Sequence, residues 1–247
     1  MAAPALRTED LTFSRDGDRL KAYGAWPLRE ERLPALLIIP DVHGLSDHYR
    51  DITQRFAREG FFSIALDLYS REGAPKLGDM TSVQEWIRNL DDRRVLDDIA
   101  AAVRFLRSRV EVRKISIGVV GFCLGGQYAL MSACGPADVN ACVSFYGMLR
   151  YAEYNERKPR SPLDLAPQLS CPYLGLFGAD DPLIPRADVR EVEALLRETG
   201  KRTQVKAYAG AGHAFFNDRR ADMYRPEAAA DAWMKTIAFF RETLALV

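Results

Sequence analysis

Cysteine and histidine are scarce in this chain, and neither sign of charge is in excess. Its 247 residues contain four cysteines and three histidines, and 34 lysines and arginines balance 34 aspartates and glutamates. Without a basic stripe, neither nucleic acid nor an anionic membrane surface is an expected partner. The sequence has no apolar run long enough to span a bilayer and no signal peptide in its first residues, 1–7. These absences predict a cytoplasmic protein.

The few metal-ligating side chains are not arranged as a metal site. His43, His48 and His213 have no recognised ligand spacing, so no metal and no cofactor is expected. The cysteines do not form a C-x-x-C pair, which argues against a thiol-redox role. Without a signal peptide they are expected to be reduced thiols, three of them filling the core: Cys134, Cys142 and Cys171.

Apolar residues make up 48% of the chain, enough for one large core, and strand patterns alternate with helical ones. This alternation predicts an α/β fold with a mostly parallel sheet, helices on both faces, and a single domain over residues 1–247. An antiparallel edge hairpin is expected from strands 8–13 and 19–26, which flank Asp16-Gly17. The remaining strands are predicted at 35–39, 61–66, 115–120, 141–146, 173–177 and 203–208. Two long loops, 69–81 and 147–169, are expected to cover a pocket.

The sequence Gly-Phe-Cys-Leu-Gly-Gly over residues 121–126 directly follows the predicted strand 115–120, which is rich in β-branched residues. Its glycine spacing is that of a nucleophile elbow, a sharp strand-to-helix turn that exposes the central side chain, with Cys123 in the place usually held by serine. The N-terminus of the following helix would favour the thiolate. Cys123 is therefore a candidate nucleophile, although a small buried thiol beside a glycine-rich turn is the simpler alternative.

An acid and a histidine follow Cys123 in the chain order of an α/β-hydrolase. Asp180 and Asp181 come after the strand 173–177, and His213 lies in a glycine loop after the strand 203–208. An ordinary turn and a surface histidine are the alternatives. Because three suitable residues follow three successive strands in the right order, a catalytic triad is favoured.

These motifs resemble the dienelactone hydrolase family of α/β-hydrolases over nearly the whole chain. The resemblance rests on the elbow, on the segment 178–185, on Gly212-His213 and on Asp67-Leu68-Tyr69. It implies an α/β-hydrolase fold and a carboxymethylenebutenolidase-like hydrolase of esters or lactones, with Cys123 as nucleophile, Asp181 rather than Asp180 as acid and His213 as base. It implies a small-molecule substrate and a thioester acyl-enzyme.

Further site residues are expected around this triad. Backbone N–H groups of Leu124 and Val42 would form the oxyanion hole. Asp41 stands where the family has a glutamate that contacts the resting thiol; it either reaches Cys123 or caps its own loop. His43, in the same loop, is expected to line the pocket or to pack structurally.

The substrate-binding residues depart from the family pattern. Arg71 matches one cationic residue that binds a substrate carboxylate, or it is a solvated loop arginine, and Asn217 replaces a second cation. Tyr146 and Phe216 are candidates for lining the acyl site, with ordinary aromatic packing as the alternative. A general carboxylesterase or thioesterase, or a non-catalytic binding protein, remains a rival function. The protein is expected to be a monomer or a homodimer.

Overall fold

A computed structural model describes residues 4–245 of the chain, and its framework is an eight-stranded sheet. The strands lie in the order β1-β2-β4-β3-β5-β6-β7-β8. Their bounds are β1 (Leu6–Arg15), β2 (Asp18–Pro27), β3 (Leu33–Ile39), β4 (Phe62–Asp67), β5 (Val112–Phe122), β6 (Ala141–Phe145), β7 (Tyr173–Gly178) and β8 (Thr203–Tyr208). Residues 1–3, which include part of the segment used to exclude a signal peptide, lie outside the described residues.

Strand β2 runs in the opposite direction to the other seven described strands. It pairs antiparallel with β1 and with β4, and the other pairings, from β4 across to β8, are parallel. Asp16 and Gly17 form the turn between β1 and β2 with positive φ angles of 50° and 92°, a conformation that suits this residue pair in a tight hairpin. The predicted edge hairpin and the mostly parallel sheet are both confirmed.

Seven α-helices connect the strands of the described chain. They are α1 (Asp47–Arg58), α2 (Met80–Asn89), α3 (Asp92–Ser108), α4 (Leu124–Ala133), α5 (Pro162–Leu165), α6 (Arg186–Glu198) and α7 (Pro226–Ala245), and a 3-10 turn, Ala166–Gln168, follows α5. Helix α3 packs on α4, while Phe56 of α1 contacts Trp233 of α7. No helix within residues 4–245 is long and apolar enough to cross a membrane.

The hydrophobic core follows the central strands. Residues 35–39 of β3 are fully inaccessible to solvent, as are residues 119 and 120 of β5, because parallel strands covered by helices are buried on both faces. Because β3, β5, β6, β7 and β8 run parallel, their carboxyl ends lie along the same edge of the sheet. The loops that leave this edge carry the predicted site residues.

The predicted loop 147–169 has structure of its own. It contains α5 and the 3-10 turn, and Lys158 within it is 2% exposed. The Lys158 ammonium pairs with the buried carboxylate of Asp92 and donates to Tyr128 Oη at 2.9 Å. Tyr151 Oη also donates to Asp92, at 2.8 Å. This polar network fastens the segment to α3 and α4.

Candidate active site

Cys123 occupies a sharp turn between β5 and α4. Its φ of 54° and ψ of −117° lie in a region that non-glycine residues rarely adopt. The turn is held by hydrogen bonds from Cys123 N–H to the Phe145 carbonyl, 3.0 Å, and from Gln127 N–H to the Cys123 carbonyl, 3.1 Å. Strain of this kind at a half-buried side chain is characteristic of functional sites.

Glycines allow the backbone segments to approach closely around this turn. A Cβ on Gly121 would lie 1.9 Å from the Gly125 carbonyl oxygen, and one on Gly125 would lie 2.0 Å from the Ile39 carbonyl oxygen. Neither position can hold a side chain without moving backbone. The Gly-x-Cys-x-Gly spacing is therefore required by the packing of the elbow against β3.

The structure brings Cys123, His213 and Asp181 into contact, although they leave three different strands. His213 Nε2 lies 3.1 Å from Cys123 Sγ, and His213 Nδ1 lies 2.7 Å from Asp181 Oδ2. The other carboxylate oxygen of Asp181 accepts the Leu183 N–H at 2.8 Å. The Asp181 side chain is inaccessible to solvent and that of His213 is 12% exposed, so this chain of contacts is shielded from water.

Asp180 points elsewhere. Its carboxylate accepts hydrogen bonds from Arg186 Nη2 at 2.8 Å and from the Gly210 N–H at 2.9 Å. Of the two adjacent acids, Asp181 is the one that contacts His213.

The charge around His213 favours its protonated form. Burial lowers the pKa of the imidazole, but negative charge on the Cys123 sulfur and the hydrogen bond to Asp181 outweigh it and raise the pKa to about 10. The charged form of His213 therefore places an N–H donor, Nε2, 3.1 Å from Cys123 Sγ. Burial raises the pKa of the Cys134 and Cys171 thiols to about 12.

The two backbone N–H groups predicted for the oxyanion hole have no hydrogen-bond partner among the described residues. Leu124 is the first residue of α4, so its N–H has no partner within the helix. No hydrogen bond between described residues uses the Val42 N–H. The Val42 carbonyl accepts a hydrogen bond from Tyr69 Oη at 2.5 Å, which fixes the orientation of this part of the loop.

Asp41 caps its own loop in this structure. Its Oδ1 accepts the His43 N–H at 2.8 Å, and no hydrogen bond between described residues joins Asp41 to Cys123. Of the two expected roles of Asp41, loop capping is the one observed. His43 itself is exposed.

Tyr146 and Phe216, the two candidates for lining the acyl site, have different surroundings. Tyr146 follows β6 with a φ of 38°, and its ring is edge-on to the His213 ring with 5.3 Å between centroids. Phe216 stacks on Phe122 and packs on Phe145, with centroid distances of 5.6 and 4.9 Å. Tyr146 therefore contacts the His213 ring directly, whereas Phe216 belongs to the aromatic packing around Phe122.

Arg71 is committed to other carboxylates, and the expectation that it anchors a substrate anion needs correction. Its Nη1 and Nη2 donate to the two carboxylate oxygens of Asp98 at 2.6 and 2.8 Å, and its Nε donates to Asp18 at 2.5 Å. The side chain is neither a free cation nor a solvated loop arginine, since it is 17% exposed. The bidentate pair with Asp98 joins the 69–79 loop to α3, and the bond to Asp18 joins the same loop to β2.

Tyr69 belongs to the motif Asp67-Leu68-Tyr69, but its structural role was not predicted from the sequence. The ring packs beside Gly44, where a Cβ would lie 2.6 Å from the ring carbons, and its edge contacts Trp86 at 5.1 Å between centroids. Tyr69 therefore braces the loop that carries Val42. A tyrosine two residues after the end of β4 was the available signal. Among the described residues, no group of three or more His, Cys, Asp or Glu side chains is placed to hold a metal ion.

Comparison with known proteins agrees with this geometry. The family model described as "Dienelactone hydrolase family" matches residues 20–244. A Bradyrhizobium protein named "Probable 2-oxo-3-(5-oxofuran-2-ylidene)propanoate lactonase" is 37% identical over 241 residues, covering 98% of this chain and 96% of that protein. A crystal structure from Klebsiella pneumoniae, described as "Putative Dienelactone Hydrolase", superposes with a TM-score of 0.90 at 30% identity, covering 96% of this chain and 99% of the other.

The family match spans most of the chain, and the solved relative has the same fold along almost its whole length. The chain belongs to the dienelactone hydrolase family of α/β-hydrolases and is a hydrolase of ester or lactone bonds.

Proposed function

We propose that this enzyme cleaves its substrate through a Cys123–His213–Asp181 triad and a thioester acyl-enzyme. The observation that carries this proposal is the position of His213, whose two ring nitrogens contact Cys123 Sγ at 3.1 Å and Asp181 Oδ2 at 2.7 Å. A nucleophile, a base and a group that orients the base are thereby connected in the order that covalent catalysis requires.

The first half-reaction forms the thioester. The Cys123 thiolate attacks the carbonyl carbon, forming the S–C bond, and the carbonyl electron pair moves to oxygen, where the N–H groups of Val42 and Leu124 stabilise it. Collapse of the tetrahedral intermediate breaks the bond to the leaving oxygen. His213 Nε2 gives its proton to that oxygen, while Asp181 holds the ring orientation.

The second half-reaction releases the acid. Neutral His213 takes a proton from water, which attacks the thioester carbonyl, and the second tetrahedral intermediate expels the Cys123 thiolate. The thiolate–imidazolium pair is restored. Tyr146, whose ring contacts the His213 ring, would line the space occupied by the acyl group.

An enol lactone or another ester with a stabilised leaving group is the proposed substrate class. In the tetrahedral intermediate, thiolate expulsion competes with alkoxide expulsion, so a cysteine nucleophile favours a leaving oxygen that carries negative charge well. The name of the Bradyrhizobium relative describes a lactone of this kind.

A general carboxylesterase or thioesterase is the second candidate, and a specific observation favours it. Arg71 is occupied by Asp98 and Asp18, and Asn217 stands four residues after His213, where the resemblance to the family implied a second cation. Neither residue can then supply the positive charge that the family pattern uses to bind a substrate carboxylate. A neutral ester is therefore favoured as substrate over a lactone that carries a carboxylate.

A comparison of two substrates tests both candidates. We would measure hydrolysis of a carboxylate-bearing enol lactone and of p-nitrophenyl acetate by the wild type, Cys123→Ala, His213→Ala and the control Cys142→Ala, which removes a buried thiol away from the site. Lactone turnover lost in the first two variants and kept in the control supports the lactonase. Turnover of the acetate alone supports the esterase. Activity that survives Cys123→Ala contradicts the cysteine mechanism.

The organisation and location of the protein are also proposals. We infer one domain, acting in the cytoplasm without a cofactor, as a monomer or a homodimer that takes a small-molecule ester or lactone. Four free cysteines support a reducing compartment.

A further inference from the structure

His48 is a buried histidine that the proposed mechanism does not use. It is the second residue of α1 and is 4% exposed. Neither ring nitrogen meets hydrogen-bond criteria with any described residue. The ring faces the carboxylate of Asp218, whose Oδ1 lies 3.3 Å from His48 Nδ1 and likewise forms no hydrogen bond with a described residue; its other ionic contact is Arg219 Nε at 3.9 Å. Because buried polar atoms are rarely left unpaired, this facing pair calls for an explanation.

The two residues lie next in sequence to two of the loops that carry proposed site residues. His48 follows the segment 40–46, which carries Asp41 and Val42 and which we call the oxyanion loop. Asp218 lies five residues after His213, in the segment between β8 and α7. The contact between them therefore spans the gap between a proposed oxyanion donor and the proposed base.

The oxyanion loop is tightly connected to the start of α1. A series of backbone hydrogen bonds runs from Tyr49 N–H to the Ser46 carbonyl, from Ser46 N–H to the Gly44 carbonyl and from Gly44 N–H to the Asp41 carbonyl, at 3.0, 2.8 and 2.9 Å. Short turns of this kind leave little freedom between the first turn of α1 and Val42. A displacement of His48 would thus reach the oxyanion loop.

Asp218 is also held from the opposite side. Arg55 Nη2, two turns further along α1, donates to Asp218 Oδ2 at 2.5 Å and contacts Asp51 Oδ2 at 2.6 Å. His48 faces Oδ1 of Asp218 and Arg55 donates to Oδ2, so both oxygens of this carboxylate contact residues of α1.

Burial favours a neutral His48 ring. Burial lowers the pKa of His48, the carboxylates of Asp218, Asp41 and Asp51 oppose this effect, and Arg55 adds to it, so that the net pKa lies below 6.5. A neutral imidazole carries one N–H, and Nδ1 is the ring nitrogen that lies 3.3 Å from Asp218 Oδ1.

We propose that His48 is a positioning residue for the hydrolysis: through Asp218 it holds the oxyanion loop in place relative to the segment that carries His213. This proposal rests on the proposed function, because it assigns His48 the task of aligning the two groups that stabilise and protonate the tetrahedral intermediate. Misalignment of such groups lowers the rate of the chemical step more than it weakens substrate binding.

The test compares two substitutions of His48. His48→Phe keeps the volume of the ring and removes the donor, whereas His48→Asn places an amide N–H near the position of Nδ1. With p-nitrophenyl acetate or the enol lactone, whichever is turned over, we expect His48→Phe to lower kcat roughly tenfold with KM changed less than about twofold. His48→Asn should recover most of the lost kcat.

The matched control removes a hydrogen bond to the same helix away from the site. Gln54 Nε2 of α1 donates to Tyr23 Oη at 2.9 Å, and Tyr23→Phe deletes that contact; its kcat should equal that of the wild type. Asp218→Ala should lower kcat as His48→Phe does, and it decides the question if the phenylalanine variant does not fold. The double variant should lose no more than the worse single variant.

A kcat for folded His48→Phe or Asp218→Ala within about twofold of the wild type would overturn the proposal, as would equal losses in His48→Phe and His48→Asn. These outcomes differ from failure of the proposed function. In that case Cys123→Ala would retain activity, whatever the His48 variants do.

Discussion

Removing the Cys123 sulfur should lower the pKa of His213. In the structure the pKa of this imidazole is about 10, roughly 3.5 pH units above the ordinary value of 6.5, which corresponds to ~5 kcal/mol in favour of the imidazolium. Burial acts in the other direction, so the increase comes from the negative charge on Cys123 and from Asp181. In Cys123→Ala the burial and the Asp181 contact at 2.7 Å remain, and only the sulfur is lost.

The expected decrease is about 1–3 pH units, the usual effect of one opposite charge at hydrogen-bond distance. The chain has three histidines, so the Cε1–H proton resonances can be followed separately by NMR between pH 5 and 11. His213→Gln identifies the signal of His213. Cys142→Ala, which removes a thiol buried away from the site, should leave that titration unchanged.

An unchanged pKa of His213 in Cys123→Ala would refute the thiolate–imidazolium pair. The sulfur would then be a neutral thiol in the resting enzyme, and the mechanism would need a proton transfer from Cys123 to His213 before attack.

Three further predictions concern the elbow, the thiols and the buried ion pair. Iodoacetamide should label one cysteine per native chain, and intact-mass analysis should find no label in Cys123→Ala, since the other three thiols are buried. Gly125→Ala should lower the free energy of unfolding by about 3 kcal/mol or more, because its Cβ would lie 2.0 Å from a carbonyl oxygen of β3. The control Gly78→Ala places its Cβ in open space and should leave the free energy of unfolding unchanged. Equal urea midpoints for the two variants would contradict this prediction. Lys158→Met leaves the buried Asp92 carboxylate without its cation and should cost about 3–5 kcal/mol; a loss below about 1 kcal/mol would show that tyrosine hydroxyls suffice.

Local sequence patterns predicted the parts of the structure that depend on local chemistry. The elbow could be read from the sequence because glycines on both sides of Cys123 are needed for the close approach of β5, α4 and β3. The strands were also predictable from local sequence, because fully buried parallel strands are continuous apolar runs. The choice between Asp181 and Asp180 required the resemblance to a family, since adjacent acids after a strand look alike in the sequence.

Contacts between distant segments could not be predicted in this way. Arg71 follows a strand end next to the site, and only the fold shows that Asp98 of α3 takes its guanidinium. Lys158 lies in a polar segment where lysine is normally solvated, yet its partner Asp92 is 66 residues away. Sequence spacing carries no information about such pairs, because the chain between them can fold in many ways.

The central claim is that Cys123 carries the acyl group, and rapid-quench mass spectrometry during hydrolysis of p-nitrophenyl acetate tests it most directly. We predict an acetyl increment on the peptide that contains Cys123, formed at the rate of the p-nitrophenol burst and absent in Cys123→Ala, which should be inactive. Turnover that continues in Cys123→Ala, with no acyl adduct on Cys123 in the wild type, would contradict the account.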